Sequence, residues 1–411
     1  MKKFFNFLLS VACVCVLGAN NGKTGNIFDQ IAHNFIEKQA EECFEEAICV
    51  GSTQGVDLQT RANSAYLMDF DTQTMMYAHN ESARLPIASM CKIMTLLLSF
   101  DAIHDGSMDM EEEICVSERA SSMGGSQVFL EANAKYSVKN LIKSIVVCSA
   151  NDSCVAMAER IAGSEELFVD KMNEKAKEIG ANNTLFANCT GLPKEPQYSC
   201  AKDVALMFKH LLEYDEYYEF GKVWMDKFNH PEGRYTEITN TNKLVRFYDG
   251  CDGGKTGFTN EAGFCLAATA KRGNLRVVSV VIGEESSANR FEDVRTSFDY
   301  AFAHYTNSVI AEAGVALEQS VTVNGGKEKS VSVCPARSVY TLEKRGEKSD
   351  VDVEICYESV KAPIEKGEKL GELIVFQNGI EINRVSLLAM ESIKKANFFD
   401  CLREIAQNWN Q

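Results

Sequence analysis

LPIASMCKIMT, residues 85–95, is the stretch on which the reading of this chain turns. Ser89 precedes an apolar run over residues 93–100 that predicts a helix. Residues three apart share a helix face, so Lys92 lies beside Ser89 one turn on. The first N–H groups of such a helix lack an intrahelical partner and are open to a developing anion. A hydroxyl, an amine and unpaired amides are the parts that an acylating serine needs.

Working outward, residues 65–68 and 74–78 predict two strands joined by the turn 69–73. From Ser89 to about Tyr218 the pattern is mostly helical. Strand signals return at 263–270 and 275–282, with a turn at 271–274, and a helix follows over about 291–305. Strands at both ends with helices between them predict an α+β domain, one antiparallel sheet with an inserted helical lobe. After about Ser308, short β-branched runs at 321–323, 331–333, 351–355 and 373–376 predict a small all-β domain. Residues 391–409 read as a helix with Phe399, Leu402, Ile405 and Trp409 on one face. The expected division is an export signal at 1–19, a leader of no assigned role at 20–55, the α+β domain at 56–306, the small β domain at 307–390 and an amphipathic helix at 391–411.

The bulk composition is that of a globular protein: 411 residues, 45% hydrophobic and 24% charged, enough for two domains. A net charge of -16 and the lack of any long basic run exclude nucleic acid as a partner. Lys2 and Lys3, the apolar stretch 4–17 and Gly18-Ala19 read as an export signal, too short for a membrane span. The 15 cysteines form no CxxC pair, and several, such as Cys148, Cys154 and Cys265, sit in apolar runs. They read as free thiols acting as small hydrophobes. The 6 histidines are scattered without metal-ligand spacing, so neither a metal nor another cofactor is expected. No GxSxG elbow is present.

Two further motifs complete the site. Ser149-Ala150-Asn151 is an S-x-N, and Lys255-Thr256-Gly257 is a K-T-G. Decoys exist: S-x-x-K at Ser199 and Lys202 and at Ser392 and Lys395, S-x-N at Ser287 and Asn289, K-T-G at Lys23 and Gly25. Context separates them, because Lys255 follows the turn-like Asp252-Gly253-Gly254 and starts a strand. A serine becomes nucleophilic only when a base takes its proton. Lys92 can do so only if neutral, through burial or a nearby positive charge such as Lys255. Ser149 then relays a proton to the leaving amine, Asn151 holds the substrate backbone, and the N–H groups of Ser89 and Phe258 form an oxyanion hole.

In this order the motifs resemble the low-molecular-mass penicillin-binding D-alanyl-D-alanine carboxypeptidases. Residues 85–95, 124–126, 149–163, 188–193 and 252–268 each look like family segments, and the resemblance covers about 58–305. It implies a β-lactamase/transpeptidase-like fold, with Ser89 acylated, Lys92 as base and Ser149 catalytic. Asn151, Lys255, Thr256, Gly257 and Phe258 line the cleft by the same resemblance, and Arg290 binds the substrate's terminal carboxylate. Asp203 matches an acidic residue near the family cleft, with a helix-surface role as the alternative. The implied partners are peptidoglycan stem peptides and β-lactam inhibitors, and the implied place is the outer face of the cytoplasmic membrane, touched by the C-terminal helix. Phe258, Thr190 and Tyr198 depart from the family pattern, which puts the deacylation helper in doubt. Two rivals are a serine β-lactamase, with Glu178 and Asn182 as an E-x-x-x-N, and a non-catalytic penicillin-binding sensor or scaffold.

Overall fold

The computed structural model describes residues 56–400 apart from 348, 358 and 399. The expected export signal, the leader and residues 401–411 of the expected terminal helix lie outside the described residues.

Strands β1 (Ser64–Asp69) and β2 (Met75–His79) pair antiparallel, as the sequence predicts. A 3-10 turn, Ala88–Cys91, leads into α1 (Lys92–His104). Nearly every residue of α1 up to Phe100 is buried, so it forms the centre of the helical lobe. Short strands β3 (Glu113–Cys115) and β4 (Lys135–Ser137) pair beside it. Helices α2 (Val138–Cys148), α3 (Asn151–Ala162), α4 (Glu165–Glu178) and α5 (Ala201–Leu211) complete the lobe. Ser137 and Ser164 cap α2 and α4 by accepting from the N–H groups of Asn140 and Leu167.

The hairpin of β5 (Met225–Asn229) and β6 (Tyr235–Thr239) follows the region expected to be helical, in a stretch to which the sequence reading assigned no element. Then come β7 (Cys251–Thr259), β8 (Gly263–Arg272), β9 (Leu275–Glu284) and α6 (Ser287–His304). The main sheet runs β2-β1-β9-β8-β7, with β7 at its edge. Alternation along the strands feeds two layers. Tyr66, Met68, Val278 and Val280 face the core of the helical lobe, while Ala65, Leu67, Val277 and Val281 join Val294 and Phe298 of α6.

The expected turn at Asp252-Gly253-Gly254 is instead part of β7. Its glycines serve close approach: a Cβ on Gly253 would lie 2.8 Å from the Tyr217 ring, and one on Gly254 would lie 2.8 Å from the Ala267 carbonyl.

The C-terminal region is all β. Strand β10 (Tyr305–Ala311) pairs with β13 (Val339–Lys344). A second sheet runs β11 (Ser320–Thr322), β12 (Ser330–Pro335), β16 (Ile380–Ala389), β15 (Lys369–Gln377), β14 (Val351–Tyr357). The sequence reading missed β10, β13 and β16, whose polar residues break up the apolar runs. The helix expected from residue 391 is also corrected. Ile393 is 1% exposed and bridges Ile364, and Lys395 bridges Gly326, so 391–396 is extended and pinned to the sandwich. A β-branched residue dropping into the apolar core outweighs the helical spacing of that stretch.

Candidate active site

Ser89 sits in the 3-10 turn ahead of α1, after Ala88, whose φ of 47° is strained for a residue with a Cβ. Lys92, one turn on, places its Nζ 2.9 Å from Ser89 Oγ and 2.5 Å from the Thr190 carbonyl. The Lys92 side chain is 0% exposed. Burial pushes its pKa down from 10.5, and the ionisable groups that oppose this are the thiols of Cys154, Cys91, Cys189 and Cys148. With no carboxylate among those neighbours, the amine is free to be neutral and to accept the serine proton. Burial, more than the Lys255 charge anticipated from sequence, is the main cause.

Helix α2 ends at Ser149 in the left-handed conformation, φ 64° and ψ 34°, and Asn151 opens α3 after Ala150. Such a backbone costs about 1–2 kcal/mol outside glycine and persists only where the surroundings enforce it. Here the reversal brings Ser149 Oγ within 2.8 Å of the Lys255 Nζ, which also donates to the Thr256 carbonyl at 3.0 Å. Lys255 is 2% exposed, and burial first, then the Lys92 and Arg290 charges, hold its pKa well below 10.5.

The two hydroxyl–amine pairs share one cleft. A Cβ on Gly257 would lie 2.7 Å from the Ile87 carbonyl and 3.2 Å from the Ser89 nitrogen, so only glycine lets β7 lie against the nucleophile's backbone. Lys255 and Gly257 stand two apart on that strand and share its face. Thr256 is buried between them, and Phe258 is 52% exposed, its ring 4.3 Å from that of Phe264.

Asn151 donates from Nδ2 to the Gly124 carbonyl at 2.7 Å, and its backbone N–H donates to the Ser126 carbonyl at 2.7 Å. Its Oδ1 is buried without a protein partner. The same loop is held by Asp152, which accepts from the N–H groups of Val128 and Leu130, both at 3.1 Å.

Arg290, in the first turn of α6, donates to the carbonyls of Gly257 and Cys265 at 3.1 and 3.4 Å and to Ser287 Oγ at 3.3 Å. It lies behind the K-T-G strand, with burial pushing its pKa down to about 10 and, among the described residues, no carboxylate paired with it.

Other expected residues fall elsewhere. Asp203 is buried and accepts from Asn183 N–H and Thr184 Oγ1 at 2.7 and 2.8 Å, so it is a tether for the 183–184 loop and not a helix-surface residue. Glu178 pairs with Lys175 at 2.8 Å on the exposed end of α4, which removes the acid that a β-lactamase reading required. Tyr198 lies under the Arg84 guanidinium. The decoy Ser199 bonds Thr184, Ser392 accepts from Lys366 N–H, and Ser287 contacts Arg290. The decoy K-T-G at Lys23 lies outside the described residues. The ten cysteines among the described residues are free thiols, most of them buried.

Two functional features escaped the sequence reading. The Thr190 carbonyl is the second anchor of Lys92, and Gly191, at φ 80°, packs so tightly that a Cβ would lie 2.0 Å from the Ala88 carbonyl. Asn188 Oδ1 shapes this loop by accepting from the N–H groups of Thr190 and Gly191 at 3.1 and 2.7 Å. An Asn two or three residues before a Gly is the turn signal that could have located it.

The chain is similar to known proteins. The family model described as D-alanyl-D-alanine carboxypeptidase matches residues 51–286, and that of the penicillin-binding protein 5 C-terminal domain matches 305–395. The D-alanyl-D-alanine carboxypeptidase DacF of Bacillus subtilis is 40% identical over 357 residues, covering 86% of this chain and 92% of the relative. The solved structure of penicillin binding protein 5 from Haemophilus influenzae is similar at a TM-score of 0.64 and 28% identity, covering 83% of this chain and 99% of that one. A peptidoglycan synthesis regulatory factor from Streptococcus pneumoniae gives 0.67 at 26% identity, covering 82% and 100%. The chain belongs to the D-alanyl-D-alanine carboxypeptidase family of serine-type peptidases.

Proposed function

We propose that Ser89 is the acylated nucleophile in removal of the terminal D-alanine from peptidoglycan stem peptides. The observation that carries this is the Ser89–Lys92 pair at 2.9 Å, with the amine buried and, among the described residues, in no ion pair with a carboxylate. Lys92 takes the Ser89 proton as Oγ attacks the penultimate D-alanine carbonyl. The oxyanion is received by the N–H groups of Ser89 and Phe258, a contribution of about 2.7–4 kcal/mol per donor in such sites. Ser149, backed by Lys255, delivers a proton to the departing D-alanine nitrogen, and water then cleaves the ester at Ser89.

Asn151 Oδ1 accepts an N–H of the substrate. Thr256 and Lys255 supply the donors for the terminal carboxylate, and Arg290, from behind the strand, adds a positive field that suits an anion. The edge position of β7 suits an extended peptide laid alongside it. β-Lactams acylate the same serine.

The test is mass spectrometry after penicillin exposure, together with D-alanine release from a diacyl-L-lysyl-D-alanyl-D-alanine peptide. A Ser89 adduct and release of D-alanine are expected. An adduct on another residue would remove the assignment, and labelling without release would favour a penicillin sensor or scaffold.

We also propose that the chain is exported by its N-terminal signal and works on the outer face of the cytoplasmic membrane, with the terminal segment touching lipid through its apolar residues. Among the described residues no helix is long and apolar enough to cross a membrane. Because 391–396 belongs to the β sandwich, the deletion that tests lipid contact is 401–411. Release of the truncated protein from membranes is expected, and unchanged partitioning would overturn the contact.

A further inference from the structure

Cys251 and Lys255 stand four residues apart on β7, a spacing that puts two side chains on one face of a regular strand. Here they lie on opposite faces. Cys251 joins Ala268, Ala270 and Val294 in the layer shared with α6. Ala267, the partner of Lys255 on β8, belongs to the layer of the helical lobe, and the Lys255 Nζ reaches Ser149 of that lobe. The pairing shows the cause. Cys251 opposes Ala270 and Gly253 opposes Thr269, so two steps on β7 match one on β8, and Asp252 is the extra residue of a β-bulge. One extra residue moves every later side chain to the other face. Without it, the Lys255 amine would point into the α6 layer, away from Ser149.

Contacts from outside the strand fix the bulge. Arg276 of β9 reaches across β8, donating to Thr269 Oγ1 at 3.1 Å and to the two carboxylate oxygens of Asp252 at 2.8 Å each. The Tyr218 ring lies 4.5 Å from that guanidinium. Such a fork-to-carboxylate pair is geometrically demanding, so it holds Asp252 in one place. Asn242 donates from Nδ2 to the Gly253 carbonyl at 3.1 Å. Tyr217, buried in the short helix Tyr217–Gly221, accepts from the Gly254 N–H at 3.1 Å. Every residue from Asp252 to Gly254 is thus tied down immediately before Lys255.

We propose that the bulge at Asp252, clamped by Arg276 and Tyr217, is the device that aims Lys255 at Ser149, which makes Asp252, Arg276 and Tyr217 positioning residues for proton delivery to the departing nitrogen. Each acts through the register of β7 and not by contact with the reacting atoms. The inference rests on the roles given to Ser149 and Lys255 in the carboxypeptidase reading.

The experiment compares the full chain with its Asp252→Asn and Tyr217→Phe variants, and with Leu387→Ala of the sandwich as a destabilised control. The rate of Ser89 acylation by penicillin is expected to fall about 10–100-fold in Asp252→Asn, the scale of a misplacement near one ångström. Tyr217→Phe, which keeps the ring and every charge, is expected to slow it about threefold, the scale of one neutral hydrogen bond. Labelling of the folded proteins with acetic anhydride, read by mass spectrometry, separates aim from stability. Lys255 is 2% exposed and is expected to stay protected in the wild type and in Leu387→Ala, and to react several-fold faster in the two β7 variants. Wild-type rates in both variants, or slowed variants whose Lys255 stays fully protected, would overturn the positioning role. If Asp252→Asn fails to fold, Tyr217→Phe decides alone. A wild-type protein that is acylated but releases no D-alanine would remove the carboxypeptidase reading only, since acylation and Lys255 labelling still decide the bulge.

Discussion

The lobe around Ser89 and the C-terminal sandwich bury their interiors differently. Around the cleft the protein encloses Lys92, Lys255, Asn151 and Asp152 and holds Ala88 and Ser149 at positive φ. The sandwich encloses Val323, Val333, Leu373, Val375, Val385 and Leu387. Buried amines and left-handed side-chain-bearing residues each oppose folding, while buried aliphatic chains drive it. The contrast marks one region shaped by chemistry and one shaped by stability. It also explains why the catalytic lobe needs rigid neighbours: a depressed lysine pKa lasts only while water is kept out.

Variants can break this contrast. Ser89→Ala is expected to abolish both penicillin labelling and D-alanine release while leaving the melting temperature unchanged, since it removes one oxygen from a half-buried site. Lys92→Met is expected to slow acylation about 10²–10⁴-fold, the range for a lost general base, and to raise stability by about 1–3 kcal/mol by removing a buried amine. Stopped-flow acylation and denaturant unfolding read the two effects. A Lys92→Met protein that is less stable would contradict the idea that function opposes folding here.

Gly257→Ala pushes a methyl toward the Ile87 carbonyl and is expected to lower kcat/KM about 10²-fold through displacement of the nucleophile turn. Leu387→Ala, in the sandwich, is expected to cost about 2–5 kcal/mol in unfolding free energy with no change in acylation rate of the folded protein. A matching loss of activity would mean that the two regions are coupled.

The smallest effect concerns Glu284 at the end of β9, whose pKa burial and the Asp293 carboxylate push up from 4.5 to about 8. The folded state then keeps a proton that the unfolded chain has lost between those values. Its stabilising effect is therefore complete below about 4.5 and fades as pH rises through about 8. Glu284→Gln is expected to flatten this slope, by about 1 kcal/mol after allowance for solvent screening, as read from unfolding midpoints across that range.

Much of the site was legible because local rules govern it. An S-x-x-K on a helix start must bring a hydroxyl and an amine together, and Ser89 and Lys92 do so. The apolar strand runs of β1, β8 and β9 were likewise readable. What escaped depended on packing. Gly253 and Gly254 look like turn formers, yet in β7 they admit Tyr217 and Ala267. β16, with Glu381, Asn383 and Arg384 among its apolar residues, shows its strand character only beside β12 and β15. Residues 391–396 have helical spacing, but Ile393 is captured by a core built from distant strands.

By itself the amino-acid sequence determined the three motifs, their order, the α+β plan and the pairing of Ser89 with Lys92, because each follows from spacings of a few residues. Only the tertiary structure decided that Ser149 and Lys255, separated by 106 positions, meet across the cleft, and that the Thr190 carbonyl completes the Lys92 site. The reason is physical: proton affinity and reach depend on water exclusion and on through-space neighbours, and both arise only when the lobe closes on the edge of the sheet.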